Sequence, residues 1–230
     1  MKAMRSEGAH SAQLRQLEAV VFDLGGVIAT NMGPALRDLV DTYSGDSPMS
    51  SEALQAVWWP LYRDATLGLL STEELWRSFR AEIALPGLPR GEEDSALLSR
   101  IQMPEPGIPE TIASLKARFR VGLLSNYVEL WATTLMRRSG VLSLFDAVVI
   151  SSQVGLRKPD PRLYRQVCEE LGVLTSRAAY IGDEEEDMVG AEAVGMLPIF
   201  IPGEDSDSRV GLKIERLKDV LALLEGGAVV

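Results

Sequence analysis

A carboxylate closes the apolar run Ala19-Val20-Val21-Phe22: Asp23 stands at its end, and the chain then turns through Leu24-Gly25-Gly26. The run Val121-Gly122-Leu123-Leu124 ends in the same way on a hydroxyl and an amide, Ser125 and Asn126. Ala178 to Ile181 leads through Gly182 into an acidic block, Asp183-Glu184-Glu185-Glu186-Asp187. Lys158 lies in Gly155-Leu156-Arg157-Lys158-Pro159-Asp160-Pro161, where each proline pushes its predecessor toward extended backbone. If the first and last of these runs are neighbouring strands, two or three carboxylates converge, and their repulsion must be relieved by a cation or by protonation. Oxygen ligands suit a hard divalent ion, Mg²⁺ first among them. A nearby cation also keeps an acid such as Asp23 ionised and able to act as a nucleophile.

Plainer roles account for some of these residues. Ser125 or Asn126 can cap a helix that begins near Val128. Asp160 as N-cap and Pro161 as first helical residue are explained by helix initiation alone. Glu185 and Glu186 suit a solvated helix N-terminus. Lys158 and Asp183 are left without such an explanation. Gly25-Gly26 lacks the G-x-G-x-x-G spacing of a dinucleotide-binding turn. Cys168, the single cysteine, falls in a helical pattern with Leu163, Val167 and Leu171, which makes it a packed thiol. The only histidine, His10, lies in the leader, so the expected chemistry does not use histidine.

Continuous apolar runs rich in β-branched residues and closed by glycine or polar residues read as strands buried on both faces. Five can be traced: from Ala19, Val121 to Leu124, Ala147 to Ile150, Ala178 to Ile181, and Pro198 to Ile201. Helical spacing over Glu110 to Phe119 and Tyr164 to Leu171, and from near Val128, alternates with them, which predicts an α/β, Rossmann-like, doubly wound parallel sheet. In such sheets ligands bind beyond the carboxyl ends of the strands, where Asp23, Ser125 and Asp183 stand. Between the first two strands the character is helical: Pro34 to Val40, Ser51 to Trp59, and Ser71 to Ile83. Ser71-Thr72-Glu73-Glu74 reads as a capping box. Trp58 and Trp76 fall at helical spacing and read as core. Trp59, Tyr62, Arg63 and Tyr127 are candidate substrate contacts with plainer structural or solvated readings. The Pro/Gly-rich segments 85–91 and 104–109 read as linkers bounding the insertion, with a hinge near them. Ile214, Leu217, Leu221 and Leu224 form an apolar stripe expected to pack on the sheet. The expected division is a flexible extension over 1–16, an α/β core over 17–30 and 105–225, a helical domain over 31–104, and a tail over 226–230.

With 230 residues, 46% hydrophobic and 24% charged, the chain can bury a sizeable core. Its net charge of −10 argues against nucleic-acid or anionic-membrane partners. No apolar segment reaches the roughly 20 residues of a membrane helix, and Met1 to Gln16 lacks the apolar core of a secretory leader. One cysteine gives no disulfide framework, so the cytoplasm is the expected compartment.

Phe22-Asp23-Leu24-Gly25-Gly26-Val27, Leu123-Leu124-Ser125-Asn126, Arg157-Lys158-Pro159 and Ile181 to Asp187 resemble, in order, the four motifs of the haloacid dehalogenase-like hydrolase superfamily. The resemblance covers about Leu17 to Leu224. It implies a five-stranded sheet of order 5-4-1-2-3, and a helical cap of the first type that closes over the site. It implies that Asp23 is the nucleophile forming an aspartyl phosphate, that Ser125 and the backbone around Asn126 hold phosphoryl oxygens, and that Lys158 neutralises nucleophile and phosphoryl group. Asp183 would bind Mg²⁺ with Asp23 and the carbonyl of Gly25, and Asp187 would orient Lys158 or a metal-bound water. Phosphoryl transfer rests mostly on positioning and charge stabilisation, which such a set supplies.

One position departs from the family pattern: phosphatases of this superfamily usually carry an aspartate as general acid and base two residues after the nucleophile, where this chain has Gly25. Glu184 is a candidate substitute by position. The start Asp23-Leu24-Gly25-Gly26-Val27 is similar to that of some sugar-phosphate phosphatases, glucose-1-phosphate phosphatases included, which implies a small phosphosugar as substrate. Three readings follow in order of weight: a Mg²⁺-dependent phosphatase on a small phosphorylated metabolite; a phosphate- and metal-binding regulatory protein that turns over too slowly to matter; and a metal-free 2-haloacid dehalogenase, disfavoured by the acidic fourth motif.

Overall fold

The computed structural model describes residues 10, 12–45, 49–203 and 208–226. Strand β1 (Ala19–Phe22) is followed by four helices, α1 (Met32–Tyr43), α2 (Ser51–Thr66), α3 (Thr72–Glu82) and α4 (Glu93–Leu98). Then come α5 (Ile108–Lys116), β2 (Arg120–Ser125), α6 (Glu129–Arg138), β3 (Ala147–Ile150), α7 (Ser151–Val154) and α8 (Pro161–Leu171). The chain continues through β4 (Ala178–Gly182), α9 (Glu185–Ala193), β5 (Leu197–Phe200), β6 (Leu212–Lys213) and α10 (Asp219–Gly226). The sheet is parallel throughout, in the order β3-β2-β1-β4-β5-β6. The expected five-strand order is present, and the sheet has a sixth strand. That strand has two residues, too short to show any periodicity, and it sits at the edge beside β5.

Alternation along the strands sends side chains to opposite faces. Val20, Phe22, Leu123, Ile181 and Ile199 pack on one side with α5, α6 and the helices between β1 and β2. Val21, Leu124, Val149, Tyr180 and Phe200 pack on the other with Leu163, Tyr164 and Val167 of α8 and Met188 of α9. Gly122 lets α8 approach closely, since a Cβ there would lie 2.9 Å from Leu171 Cδ1. Cys168 is buried in this second layer, and burial pushes its thiol up to about 11.

The helical stretch differs in detail from the sequence expectation. Helix α2 does not stop at Trp59 but runs through Pro60 to Thr66. An internal proline costs a helix about 3 kcal/mol; against that cost stands the burial of Tyr62, Ala65 and Thr66 on the last turns. The capping box at Ser71 and Glu74 is formed as expected. Segment 85–91 lies between α3 and α4, inside the helical stretch rather than at its boundary. There Arg80 donates to the carbonyls of Leu85 and Leu88 and pairs with buried Glu93 at 2.6 Å, which fixes the loop instead of leaving it a hinge. Segment 104–109 already enters α5, with Pro109 in the first turn.

Trp58 of α2 stacks on Trp131 of α6 with ring centroids 6.3 Å apart and planes 3° from parallel. Trp76 and Phe79 of α3 meet the same Trp58 ring. These contacts join the helices between β1 and β2 to the layer beneath them. At the other end, Gln13 donates its side-chain amide to the carbonyls of Ser176 and Gly195. Of the expected extension, residues 1–9 and 11 lie outside the described residues, as do 227–230 of the expected tail. The C-terminal helix begins at Asp219; of the expected stripe Ile214 and Leu217 are buried, and Leu221 and Leu224 pack partly buried against the same core. No helix among the described residues is long and apolar enough to cross a membrane.

Candidate active site

Strand register brings the acids together. Phe22 pairs with Leu123 on one side and Ile181 on the other, so Asp23 lies level with the ends of β2 and β4. Its amide donates to the Ile181 carbonyl at 2.8 Å. Ser125 closes β2 and Asp183 follows β4, and all three residues are buried.

Both oxygens of Asp23 are engaged. Oδ1 accepts from the Leu24 amide at 2.7 Å and from Ser125 Oγ at 2.8 Å. Oδ2 accepts from Lys158 Nζ at 2.7 Å. The same ammonium donates to Asp187 Oδ2 at 2.5 Å and to the Tyr180 hydroxyl at 2.6 Å, and the Lys158 side chain is 1% exposed. An ammonium has three protons, and here all three are spent on buried acceptors. Burial alone would lower the Lys158 pKa, but Asp187 and Asp23 carry it above its usual value. Asp23 is pushed up to about 6, first by burial, against the pull of Lys158, with Asp187 and Asp183 adding to the rise. Asp183 is raised by burial, the Asn31 bond opposing and Glu184 adding to it.

The helix-cap reading of Ser125 and Asn126 does not hold. Val128 occupies the N-cap position of α6 without a side-chain bond, and the Ser125 hydroxyl goes to Asp23. The Asn126 side chain instead clasps the backbone of Lys158, accepting from its amide at 2.8 Å and donating to its carbonyl at 3.1 Å. Asp160 and Pro161 start α8 as expected, Asp160 accepting from the Arg162 amide. Glu185 and Glu186 are exposed in the first turn of α9, whereas Asp187, on the same turn, is buried against Lys158.

Gly25 and Gly26 differ in what they allow. Gly26 has φ +69°, and a Cβ on it would lie 1.9 Å from Asp183 Oδ2, so only glycine lets the backbone meet that carboxylate. Gly25 is less constrained: its Cβ would meet only Asn31 Oδ1, at 3.2 Å. Asn31 donates to Asp183 Oδ2 at 2.9 Å.

These residues line a cavity of about 420 Å³ that also reaches Trp59, Tyr62, Tyr127, Arg157 and Glu184. Trp59 is 56% exposed there, while Tyr62 and Tyr127 are buried. Tyr62 donates its hydroxyl to the Asn126 carbonyl at 3.2 Å. Arg63 points away and pairs with Asp64. The Arg157 guanidinium lies 5.6 Å from the Trp59 ring centroid and bonds Thr66. Glu184 is exposed at the rim, its pKa raised by partial burial and then by Asp187 and Asp23.

Asn31, Tyr180 and Arg157 were not singled out from the sequence as site residues. Asn31 sits in a loop with no strand-end signal, and Tyr180 reads as an ordinary core residue of β4. For Arg157 the signal was adjacency to Lys158 in a chain of strongly negative charge.

Among the described residues no three His, Cys, Asp or Glu side chains form a metal nest. The donor set that fits a hard cation is Asp23, Asp183 and the backbone of Gly25, all oxygen and all on the same cavity. The raised pKa values of Asp23 and Asp183 agree with that fit, because desolvated carboxylates gain most from a cation.

Comparison with known proteins agrees with the motif order. The chain is 29% identical to a glyceraldehyde 3-phosphate phosphatase of Methanothermobacter thermautotrophicus over 130 residues, 53% of this chain and 58% of the relative. It is 26% identical to a phosphorylated carbohydrates phosphatase of Thermotoga maritima over 220 residues, 93% of each. The fold is similar to that of a HAD phosphatase from Thermococcus onnurineus, with a TM-score of 0.69 at 22% identity, covering 93% of this chain and all of that one. The family model for haloacid dehalogenase-like hydrolases matches residues 17–195, from the start of β1 to the end of α9, and the chain belongs to that family.

Proposed function

We propose that this protein is a Mg²⁺-dependent phosphohydrolase acting on a small phosphorylated metabolite in the cytoplasm, through an aspartyl phosphate on Asp23. The observation that carries the reading is the shared grip on one carboxylate: Ser125 holds Asp23 Oδ1 and Lys158 holds Oδ2, at the mouth of a cavity of about 420 Å³. An Asp23 oxygen attacks phosphorus as the ester P–O bond breaks, the leaving alkoxide takes a proton from water, and a water molecule then splits the aspartyl phosphate into inorganic phosphate and the free carboxylate. Ser125 and the backbone around Asn126 take the phosphoryl oxygens. Lys158, held by Asp187 and Tyr180, meets the charge that develops there. Asp23, Asp183 and the Gly25 carbonyl would hold Mg²⁺, which supplies charge neutralisation at the transferring group. Of the two roles expected for Asp187, its bond to Lys158 supports the first.

The family membership and the names of the relatives, which act on phosphorylated carbohydrates or three-carbon phosphates, support a phosphomonoester substrate. A second reading, a phosphate- and metal-binding protein of negligible turnover, has Gly25 in its favour, since glycine cannot transfer a proton. Hydrolysis of p-nitrophenyl phosphate by wild type and Asp23→Asn, with Mg²⁺ and with EDTA, decides between them. Activity that needs both Mg²⁺ and Asp23 is expected. Activity indifferent to either sinks the assignment, and a silent wild type that binds Mg²⁺ and phosphate favours the second reading.

A further inference from the structure

A second cavity, of about 530 Å³, opens among the helices between β1 and β2, walled by Leu36, Leu54, Trp58 and Trp59. It meets the phosphoryl cavity along a common wall of Met32, Gly33, Pro34, Trp59 and Tyr62. Its size is within the range that encloses a whole small ligand. Its lining is mostly apolar, with Arg37, Ser51, Gln55 and Tyr62 as the polar members. Arg37 is already bound to Asp41, to the Met49 carbonyl and to Ser51 Oγ. The Tyr62 hydroxyl is spent on Asn126. A polyol placed there would lie against mostly apolar wall and reach only Gln55, Ser51 and the unspent N–H groups of Arg37, fewer partners than its hydroxyls give up in water. A hydrocarbon group would cover Trp59, the one largely exposed aromatic ring of the wall, and gain by it.

We propose that the substrate is the phosphate monoester of an apolar alcohol, whose phosphoryl group meets Asp23 and whose hydrocarbon part lies past Trp59 in this second cavity. The proposal rests on the phosphohydrolase reading for the phosphoryl end and differs from the phosphosugar that the motif resemblance implies. At the junction, Gly33 is the natural gate: a Cβ added to it meets nothing within 4 Å, and its backbone is not in the left-handed region. A larger side chain there is placed on the wall the two cavities share, with no clash at its Cβ.

The test is binding first and turnover second. Calorimetry on the Asp23→Asn protein with Mg²⁺ compares ethyl phosphate, octyl phosphate and glucose 6-phosphate. Burial gives up to about fourfold in affinity per methylene, so octyl phosphate is expected to bind at least about 100-fold tighter than ethyl phosphate and tighter than glucose 6-phosphate. Gly33→Leu is expected to remove most of that octyl-to-ethyl ratio. A ratio near one in the parent, or glucose 6-phosphate as the tightest ligand, overturns the proposal, as does a ratio that Gly33→Leu leaves intact. Because binding is read without turnover, failure of the apolar pocket is separate from failure of the phosphatase reading, which appears as absent hydrolysis of every ester by the wild type.

Discussion

Asn31 carries its amide oxygen to within 3.2 Å of the place a Cβ on Gly25 would occupy, while its amide nitrogen holds Asp183. The space left by the missing side chain at 25 is therefore partly filled by a residue already serving the acidic centre. Gly25→Asp needs only a shift of a few tenths of an ångström from Asn31. A positioned general acid and base contributes about 10²- to 10⁴-fold, so Gly25→Asp is expected to raise kcat toward that range. Steady-state kinetics at saturating Mg²⁺ checks it, and an unchanged kcat would show that proton transfer to the leaving group does not limit turnover.

Asp23 must be ionised to attack, and its carboxyl sits at about 6. The acid limb of kcat/KM is expected near pH 6 at low Mg²⁺ and at lower pH as Mg²⁺ is raised, because a bound cation favours the carboxylate. Stability moves with the same shift. Between the ordinary value of 3.8 and about 6 the folded protein holds a proton that the unfolded chain has released, so this group's contribution falls as pH rises through that window. A pH–rate profile at two Mg²⁺ concentrations is the measurement.

Lys158 balances Asp23 and Asp187 with all three side chains largely buried. Removing one partner of a buried ion pair costs about 3–5 kcal/mol, and losing a charge stabiliser costs turnover about 10²- to 10³-fold. Lys158→Ala is expected to do both at pH 8. Its stability deficit should shrink at pH 5, where Asp23, already raised by burial and now without its ammonium partner, takes up a proton. Urea denaturation at the two pH values tests this, and an equal deficit at both would remove the charge argument.

Tyr127 and Trp131 each bury a polar atom, Oη and Nε1, without a hydrogen-bond partner among the described residues. An unsatisfied buried group costs about 1–3 kcal/mol. Tyr127→Phe keeps the ring against Tyr62 and removes the orphan hydroxyl. The variant is expected to melt at the same temperature as wild type or higher, and a lower Tm would mean that the hydroxyl has a partner.

Asp23, Ser125, Lys158 and Asp183 were legible because each breaks a local pattern: a charge or hydroxyl directly after a buried run, or a cation held between prolines. Asn31 and Tyr180 break none. Their roles arise from strand pairing and from the return of the chain across the sheet edge, which no local pattern records. The helical pattern traced to Trp59 stops short of the helix end, since the burial of Tyr62 and Thr66 carries α2 on through Pro60. Helix α4, six residues long, was hidden beside a loop rich in proline and glycine because it is too short to show a period.

The stacking of Trp58 on Trp131 gives the molecule a built-in optical gauge. Of the four tryptophans, Trp58, Trp76 and Trp131 share one buried cluster across α2, α3 and α6, and Trp59 alone is exposed on the cavity rim. The emission of the native protein is expected to divide into a blue component from the buried cluster and a red component from Trp59. Covering the rim acts first on Trp59, and parting α2 and α3 from α6 separates the stacked rings of Trp58 and Trp131.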